Sequence, residues 1–79
     1  MAKQGRTAPN RVQESRVREG IPRTRLAELA DLSTKTIKRI ENGDSSVSPE
    51  SKHSVVKAFN AIENKLLEYT FEYLFPDSS

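Results

Sequence analysis

The chain contains 79 residues, with a formal net charge of +2, no cysteine and one histidine. A chain this short has room for one small hydrophobic core, which excludes a second domain and a deep enclosed cleft. Without cysteine there is no disulfide and no thiolate metal site, and His53 alone cannot form a ligand cluster, so we predict no metal and no cofactor.

Residues 1–9 show no apolar periodicity and contain two basic residues, Lys3 and Arg6. This composition predicts a flexible N-terminal arm. Residues 10–62 carry the helical patterns of one folded domain, and residues 63–79 form a C-terminal segment and tail.

Two short helices are predicted first. Asn10 can cap a helix over about 11–19, and Gly20 can end that helix in the left-handed conformation. A second helix is expected from about Pro22 to Ala30, because proline is tolerated at the first helical position, where the amide has no partner. The second helix is then little more than two turns long.

Two further helices have clear capping residues. Ser33 caps a third helix over about 33–42, which Gly43 ends, and Ser48 followed by Pro49 starts a fourth. Apolar residues at helical spacing mark the buried faces of both helices: Ile37, Ile40, Val55, Phe59 and Ile62.

The C-terminal segment has two competing periodicities. No glycine or proline occurs from Glu50 to Phe75, so a helix could continue with Leu67, Phe71 and Leu74 on one face. The alternation of aromatic residues over 69–75 is instead typical of a strand. We favour the helix and leave the strand open.

The second and third predicted helices are joined by Asp31-Leu32-Ser33, a connection so short that their axes must cross steeply around a small residue. The segment from Asn10 to Ile62 resembles the Cro/repressor-type helix-turn-helix family. The resemblance rests on five motifs: Arg16, Leu26-Ala27, Leu32-Ser33, Thr36-Ile37 and Arg39-Ile40-Glu41-Asn42-Gly43. It implies an all-α fold, a compact lambda-repressor-like domain of four to five helices.

The chain departs from the family pattern at three positions. Ser15 stands where the first helix normally buries leucine, Pro22 where a serine or threonine cap is usual, and Asp31 where glycine is usual. The stretch Val47–Ser51 also looks like the start of the third helix in LacI-type headpieces. Those headpieces lack a complete helix before the motif, so the Cro/repressor resemblance is the better one.

The resemblance implies specific roles for residues of this chain. It pairs Arg16 with Glu41 and places a set of residues of the third helix near base edges: Thr34, Lys35, Thr36 and Arg39. It places Arg23 and Asn42 against phosphates. Helix geometry puts Lys38 at the edge of the same face, where it would also meet phosphate, and Lys3 and Arg6 of the arm would contact a phosphate or the minor groove.

The charge distribution agrees with a polyanionic partner at one end of the chain. Residues 1–43 contain ten Lys/Arg against five Asp/Glu, a net charge of +5, and residues 44–79 carry three against six, a net charge of −3. Taken with the resemblance, which implies a DNA-binding regulator, this distribution leads us to predict sequence-specific binding of double-stranded DNA by a transcriptional repressor in the cytoplasm, associated with the nucleoid. An enzyme is not expected, since no nucleophile, base or phosphate-binding glycine loop is evident.

Two alternatives concern the C-terminal segment. All five aromatic residues follow residue 58, and the apolar positions over 66–75 would lie all around a helix. One face of that helix can pack on the core, and a second apolar face would remain exposed unless another surface buried it. We expect a homodimer through Leu67, Phe71 and Leu74; a monomer with a folded-back tail is the alternative. The segment could also serve a protein partner, as in antitoxins or bridging factors that use the same fold.

Overall fold

The computed structural model describes residues 9–76. Within that range the chain forms five helices and no strand, in agreement with the all-α prediction: α1 (Val12–Glu19), α2 (Arg23–Ala30), α3 (Thr34–Glu41), α4 (Pro49–Asn60) and α5 (Phe71–Leu74). Lys3 and Arg6 of the predicted arm lie outside the described residues. No helix of residues 9–76 is long and apolar enough to cross a membrane.

The first helix ends at Gly20 as predicted but begins one residue later than predicted, with Arg11 rather than Asn10 at the capping position. The Asn10 side chain accepts a hydrogen bond from the Val12 amide (3.1 Å), which satisfies a donor of the first turn. At the other end Gly20 has a φ of 72°, in the left-handed region that glycine adopts without strain. The helix is therefore bounded by a polar side chain and a glycine.

The second helix starts one residue later than predicted, because Pro22 is extended and occupies the capping position before Arg23. At its end Asp31 takes the left-handed conformation (φ 58°) that glycine usually provides in this family. The Leu32 amide then bonds the Ala27 carbonyl at 2.9 Å. This closure turns the chain sharply into α3.

The helices that follow the turn have the predicted caps. The Ser33 hydroxyl accepts from the Thr36 amide (3.1 Å) at the start of α3, and the Ser48 hydroxyl accepts from the Ser51 amide (3.2 Å) at the start of α4. Helix α2 packs against both α3 and α4, α1 packs against α3, and α5 packs against α4. Of the residues that the structure describes, twelve apolar ones are buried in the core between these helices, including Leu26, Ile37 and Phe59.

The C-terminal segment is neither the long helix nor the strand considered from its sequence. Helix α4 ends at Asn60, whose side chain donates to the Tyr69 carbonyl (2.8 Å) and accepts from the Tyr69 amide (2.9 Å). This pair of hydrogen bonds brings the chain back onto the domain. Leu74 and Phe75 are then buried in the core of their own chain, which is the folded-back tail weighed as an alternative.

The burial pattern changes the expected role of two of the three residues assigned to a dimer interface. Leu74 is fully buried within its own chain and has no surface to offer to a second copy. Phe71 is half-buried and stacks on His53, with ring centroids 4.4 Å apart. Only Leu67 of the predicted set is exposed, next to the more exposed Leu66.

The returning tail is also tied to α1. The Arg11 amide donates to the Leu74 carbonyl (2.9 Å), and its guanidinium donates to the Tyr73 carbonyl (2.8 Å). At the other end of α1 the Glu19 carboxylate accepts from the Tyr69 hydroxyl and from the Leu66 amide. Burial, with the hydrogen bond to Glu19, raises the pKa of Tyr69 to about 12, so its hydroxyl stays protonated and donates.

Ser15 occupies the position where the family usually buries leucine, and the structure buries it completely. Its hydroxyl has no hydrogen-bond partner. A buried hydroxyl that loses water without gaining a partner costs about 1–3 kcal/mol. The hydroxyl of Ser15 therefore lowers the stability of the domain.

We expect Ser15→Ala to raise the free energy of unfolding by about 1–2 kcal/mol, because it removes the unpaired hydroxyl and favours the helix. For a domain of this size, each kcal/mol corresponds to a rise of roughly 4–8 °C in melting temperature. Thermal unfolding, monitored by circular dichroism, measures the change in melting temperature. Ser54→Ala is the control, since the Ser54 hydroxyl bonds the Glu50 carbonyl, and an equal rise in both variants would contradict the explanation.

Candidate nucleic-acid interface

Helix α3 has one buried face and one exposed face. Ile37, Ile40 and Glu41 are buried. The exposed positions of α3 and its C-terminal cap carry polar and basic side chains that the family resemblance or, for Lys38, helix geometry places near DNA: Thr34, Lys35, Lys38, Arg39 and Asn42. The structure therefore brings five of the predicted contact residues together on one surface.

The exposed face of α3 carries three positive charges within five residues: Lys35, Lys38 and Arg39. Lys35 and Arg39 are four residues apart, a like-charge spacing that costs an isolated helix roughly 0.2–0.5 kcal/mol. Lys38 and Arg39 lie in the last turn, where the helix dipole favours positive charge. Such a face suits an anionic surface rich in hydrogen-bond acceptors.

Thr36 differs from the other predicted base-contacting residues. It is half-buried, and its hydroxyl lies 2.9 Å from the Ser33 hydroxyl within the helix cap. A base contact by Thr36 would have to share that hydroxyl, which can donate one hydrogen bond and accept others.

Glu41 fixes α3 to the two helices that precede it. Its carboxylate is only 2% exposed and accepts from Arg16 Nε of α1 at 2.7 Å and from Arg23 Nε of α2 at 2.9 Å. The pair of Arg16 and Glu41 implied by the family resemblance is thus present. Two charged donors at one buried carboxylate compensate for its loss of water.

The two arginines differ in how far they remain accessible. Arg16 is 13% exposed and also donates to the Ile21 carbonyl (3.2 Å), which joins the end of α1 to the start of the next loop. Arg23 is 41% exposed, and its contact with Glu41 uses Nε. The sequence assigned Arg23 to phosphate and gave no sign of its contact with Glu41.

The N-terminal end of the described chain lies beside the C-terminal end of α3. The Asn10 side chain donates to the Ile40 carbonyl at 2.7 Å. Gly43 has a φ of 75°, and a Cβ built on it would lie 2.6 Å from Pro9 Cβ, so only glycine fits this contact. Pro9 and Asn10 therefore lie against the C-terminal end of α3.

Asp44 is a residue of this surface that sequence reasoning missed. Its Oδ2 lies 4.0 Å from Arg39 Nε, close enough for an ion pair although too far for a hydrogen bond. Its Oδ1 accepts from the Ser46 hydroxyl (2.7 Å) and from the Ser46 amide (2.8 Å). The hydrogen bond from the Ser46 hydroxyl is the main cause of a lowered pKa of Asp44, and the hydrogen bond from the Ser46 amide is the second. The carboxylate is therefore ionised at neutral pH.

We expect Glu41→Gln to lower the free energy of unfolding by about 3 kcal/mol, because it leaves two cations without their shared carboxylate. Urea unfolding measures this loss. Arg16→Gln should cost more stability than Arg23→Gln, since Arg16 is the more buried partner and Arg23 regains water more easily. A loss below 1 kcal/mol for Glu41→Gln, or equal losses for the two arginine variants, would contradict this account.

Comparison with protein families identifies the whole motif. A family model described as helix-turn-helix matches residues 12–60, from the first residue of α1 to the last residue of α4 and thus more than half of the chain. Comparison with curated proteins and with solved structures gave no significant match. The match spans the turn, the exposed face of α3 and the buried Glu41 described above. The chain therefore belongs to the Cro/repressor-type helix-turn-helix family, a family of DNA-binding regulators.

Proposed function

We propose that this protein binds a specific sequence of double-stranded DNA by inserting α3 into the major groove. The observation that carries the proposal is the exposed basic face of α3, whose opposite side is locked by Ile37, Ile40 and the buried Glu41. A helix fits the width of the major groove, where each base pair presents a distinct pattern of donors and acceptors. An exposed helix held rigidly on its inner side is suited to that use.

The proposal divides the exposed side chains into two sets. Lys35 and Arg39 point away from the buried isoleucines, so they read base edges, together with Thr34 and Thr36. Arginine and lysine donate to O6 and N7 of guanine. Three residues bind phosphates, which sets the register without reading sequence: Lys38 at the edge of the face, Asn42 at the end of α3 and Arg23 at the start of α2.

The position of Pro9 supports a role for the residues before it. Because Pro9 lies against Gly43 at the end of α3, an extension from this point starts close to the DNA surface that we propose. Lys3 and Arg6 would then contact the phosphate backbone or the minor groove beside the site.

We further propose that the protein acts as a homodimeric repressor. A domain that occupies a promoter blocks transcription without any additional surface, so repression is the simplest role. Leu66 and Leu67 are 64% and 39% exposed in the segment between α4 and α5, which leaves adjoining apolar side chains uncovered. A second copy would cover them and would present two recognition helices to a two-fold operator.

Selection of bound sequences from a random DNA pool tests the function directly, and an enriched site is the expected outcome. Arg39→Ala should then cost roughly 1–3 kcal/mol of binding free energy on that site and relax preference at one base pair. Lys38→Ala should weaken binding to all sequences alike and reduce the salt slope by about one per half-site. Titrations of each variant with the selected site and with random DNA measure both effects.

These two variants serve as controls for each other, since both remove one positive charge from neighbouring exposed positions. Equal losses on selected and random DNA for Arg39→Ala would show that Arg39 does not read bases. The failure of any DNA sequence to be enriched would overturn the proposed function. A protein partner recovered in its place would favour the antitoxin or bridging role.

The dimer is tested by replacing the exposed leucines. We expect the double variant Leu66→Ser, Leu67→Ser to dissociate at concentrations where the native protein is dimeric, with little change in melting temperature, because both side chains lie outside the core. Analytical ultracentrifugation measures association. Val17→Ser is the matched control, since Val17 is as exposed as Leu66 but lies on α1. A native protein that is monomeric at high micromolar concentration would rule out the homodimer.

A further inference from the structure

The carboxylate of Asp44 faces two different groups with its two oxygens. Oδ1 accepts both hydrogen bonds from Ser46 and thereby shapes the turn that follows α3. Oδ2 is turned towards Arg39, 4.0 Å from its Nε. The backbone joins the same two residues, because the Asp44 amide donates to the Arg39 carbonyl at 3.0 Å. One oxygen is used by the turn, and the other is directed at the arginine to which we assign base reading.

This arrangement leaves the other end of the guanidinium free. A guanidinium presents five N–H donors in a rigid fork, and the side approached by Asp44 carries the Nε donor. The terminal nitrogens NH1 and NH2 remain available for a bidentate contact with guanine O6 and N7. A carboxylate beside Nε therefore orients arginine without competing for the donors that read the base.

The physical effect of such a contact is preorganisation. An arginine side chain has high rotamer entropy, and immobilising a side chain of this kind on binding costs about 0.5–1.5 kcal/mol. Restricting Arg39 before DNA arrives lowers that cost for the sequence that offers the matching base. The same carboxylate repels phosphates on every sequence, so it weakens binding to DNA in general.

We infer that Asp44 is a specificity-determining positioning residue, which holds Arg39 for base reading and opposes binding to DNA that lacks the matching base. The inference rests on the proposed function, because it assigns a second residue to the reading step of α3. The chemical class of the target is a guanine, or another base edge with two adjacent acceptors, in the major groove.

Asp44→Asn is the decisive variant, because asparagine keeps an oxygen for the two Ser46 hydrogen bonds and removes only the charge that faces Arg39. The ratio of affinities for selected and random DNA should fall by about 2- to 12-fold, the range that corresponds to one immobilised side chain. Affinity for random DNA should rise. Ser46→Ala is the matched control: it removes a hydrogen bond from Oδ1 but leaves the charge near Arg39, so the ratio should stay unchanged.

A double-mutant cycle with Arg39→Ala separates this inference from the proposed function. In the Arg39→Ala background, Asp44→Asn should no longer change the ratio, because no side chain is left to position. The role of Asp44 would be overturned if Asp44→Asn raised the affinity for selected and random DNA equally. It would also be overturned if Asp44→Asn changed the ratio of the two affinities by the same factor with and without Arg39. If Arg39→Ala lost discrimination between the two DNAs but Asp44→Asn had no effect, the role of Asp44 would again be overturned. The proposed function would then remain intact. Equal losses on both DNAs for Arg39→Ala would refute the reading role on which the inference depends.

Discussion

The position of α3 depends on one buried carboxylate. Glu41 is almost completely removed from water, and its charge is stable there only because Arg16 and Arg23 approach it from two other helices. A single acidic residue thus connects the three helices of the motif at the end of α3. The directional ion pairs act together with the buried Ile37 and Ile40 in fixing which side chains of α3 face outwards.

A domain of this size needs nearly all of its apolar residues in the core, and the C-terminal tail supplies what α1 lacks. The buried residues of α1 are Val12 and Ser15, and the second of these adds no apolar side chain. Tyr69, Leu74 and Phe75 come back from the end of the chain to complete the core, with Tyr69 packing 4.9 Å from the ring of Phe59. The tail is therefore part of the folding unit.

Local signals in the sequence predicted the helix boundaries, since caps and left-handed residues act over three or four positions. Ser33, Gly20 and Ser48 all lie where their chemistry indicated. The continuing helix favoured for the tail was wrong, and the folded-back tail had been only the alternative, because its path depends on two hydrogen bonds between Asn60 and Tyr69, nine residues apart, and no periodicity encodes such a contact. Pairwise contacts around α3 were foreseen only where the family pattern contained them.

The same distinction applies to the charges at the exposed end of α3. The resemblance supplied the pair of Arg16 and Glu41, but the pair of Arg39 and Asp44 depends on the turn that the Asp44–Ser46 hydrogen bonds shape after α3. Ion pairs at the surface contribute little to stability, so the contact of Arg39 with Asp44 is not explained by folding. An acidic group next to a DNA-binding face lowers affinity for every sequence unless it improves the fit to one of them. Its placement beside the arginine to which we assign base reading favours discrimination over affinity.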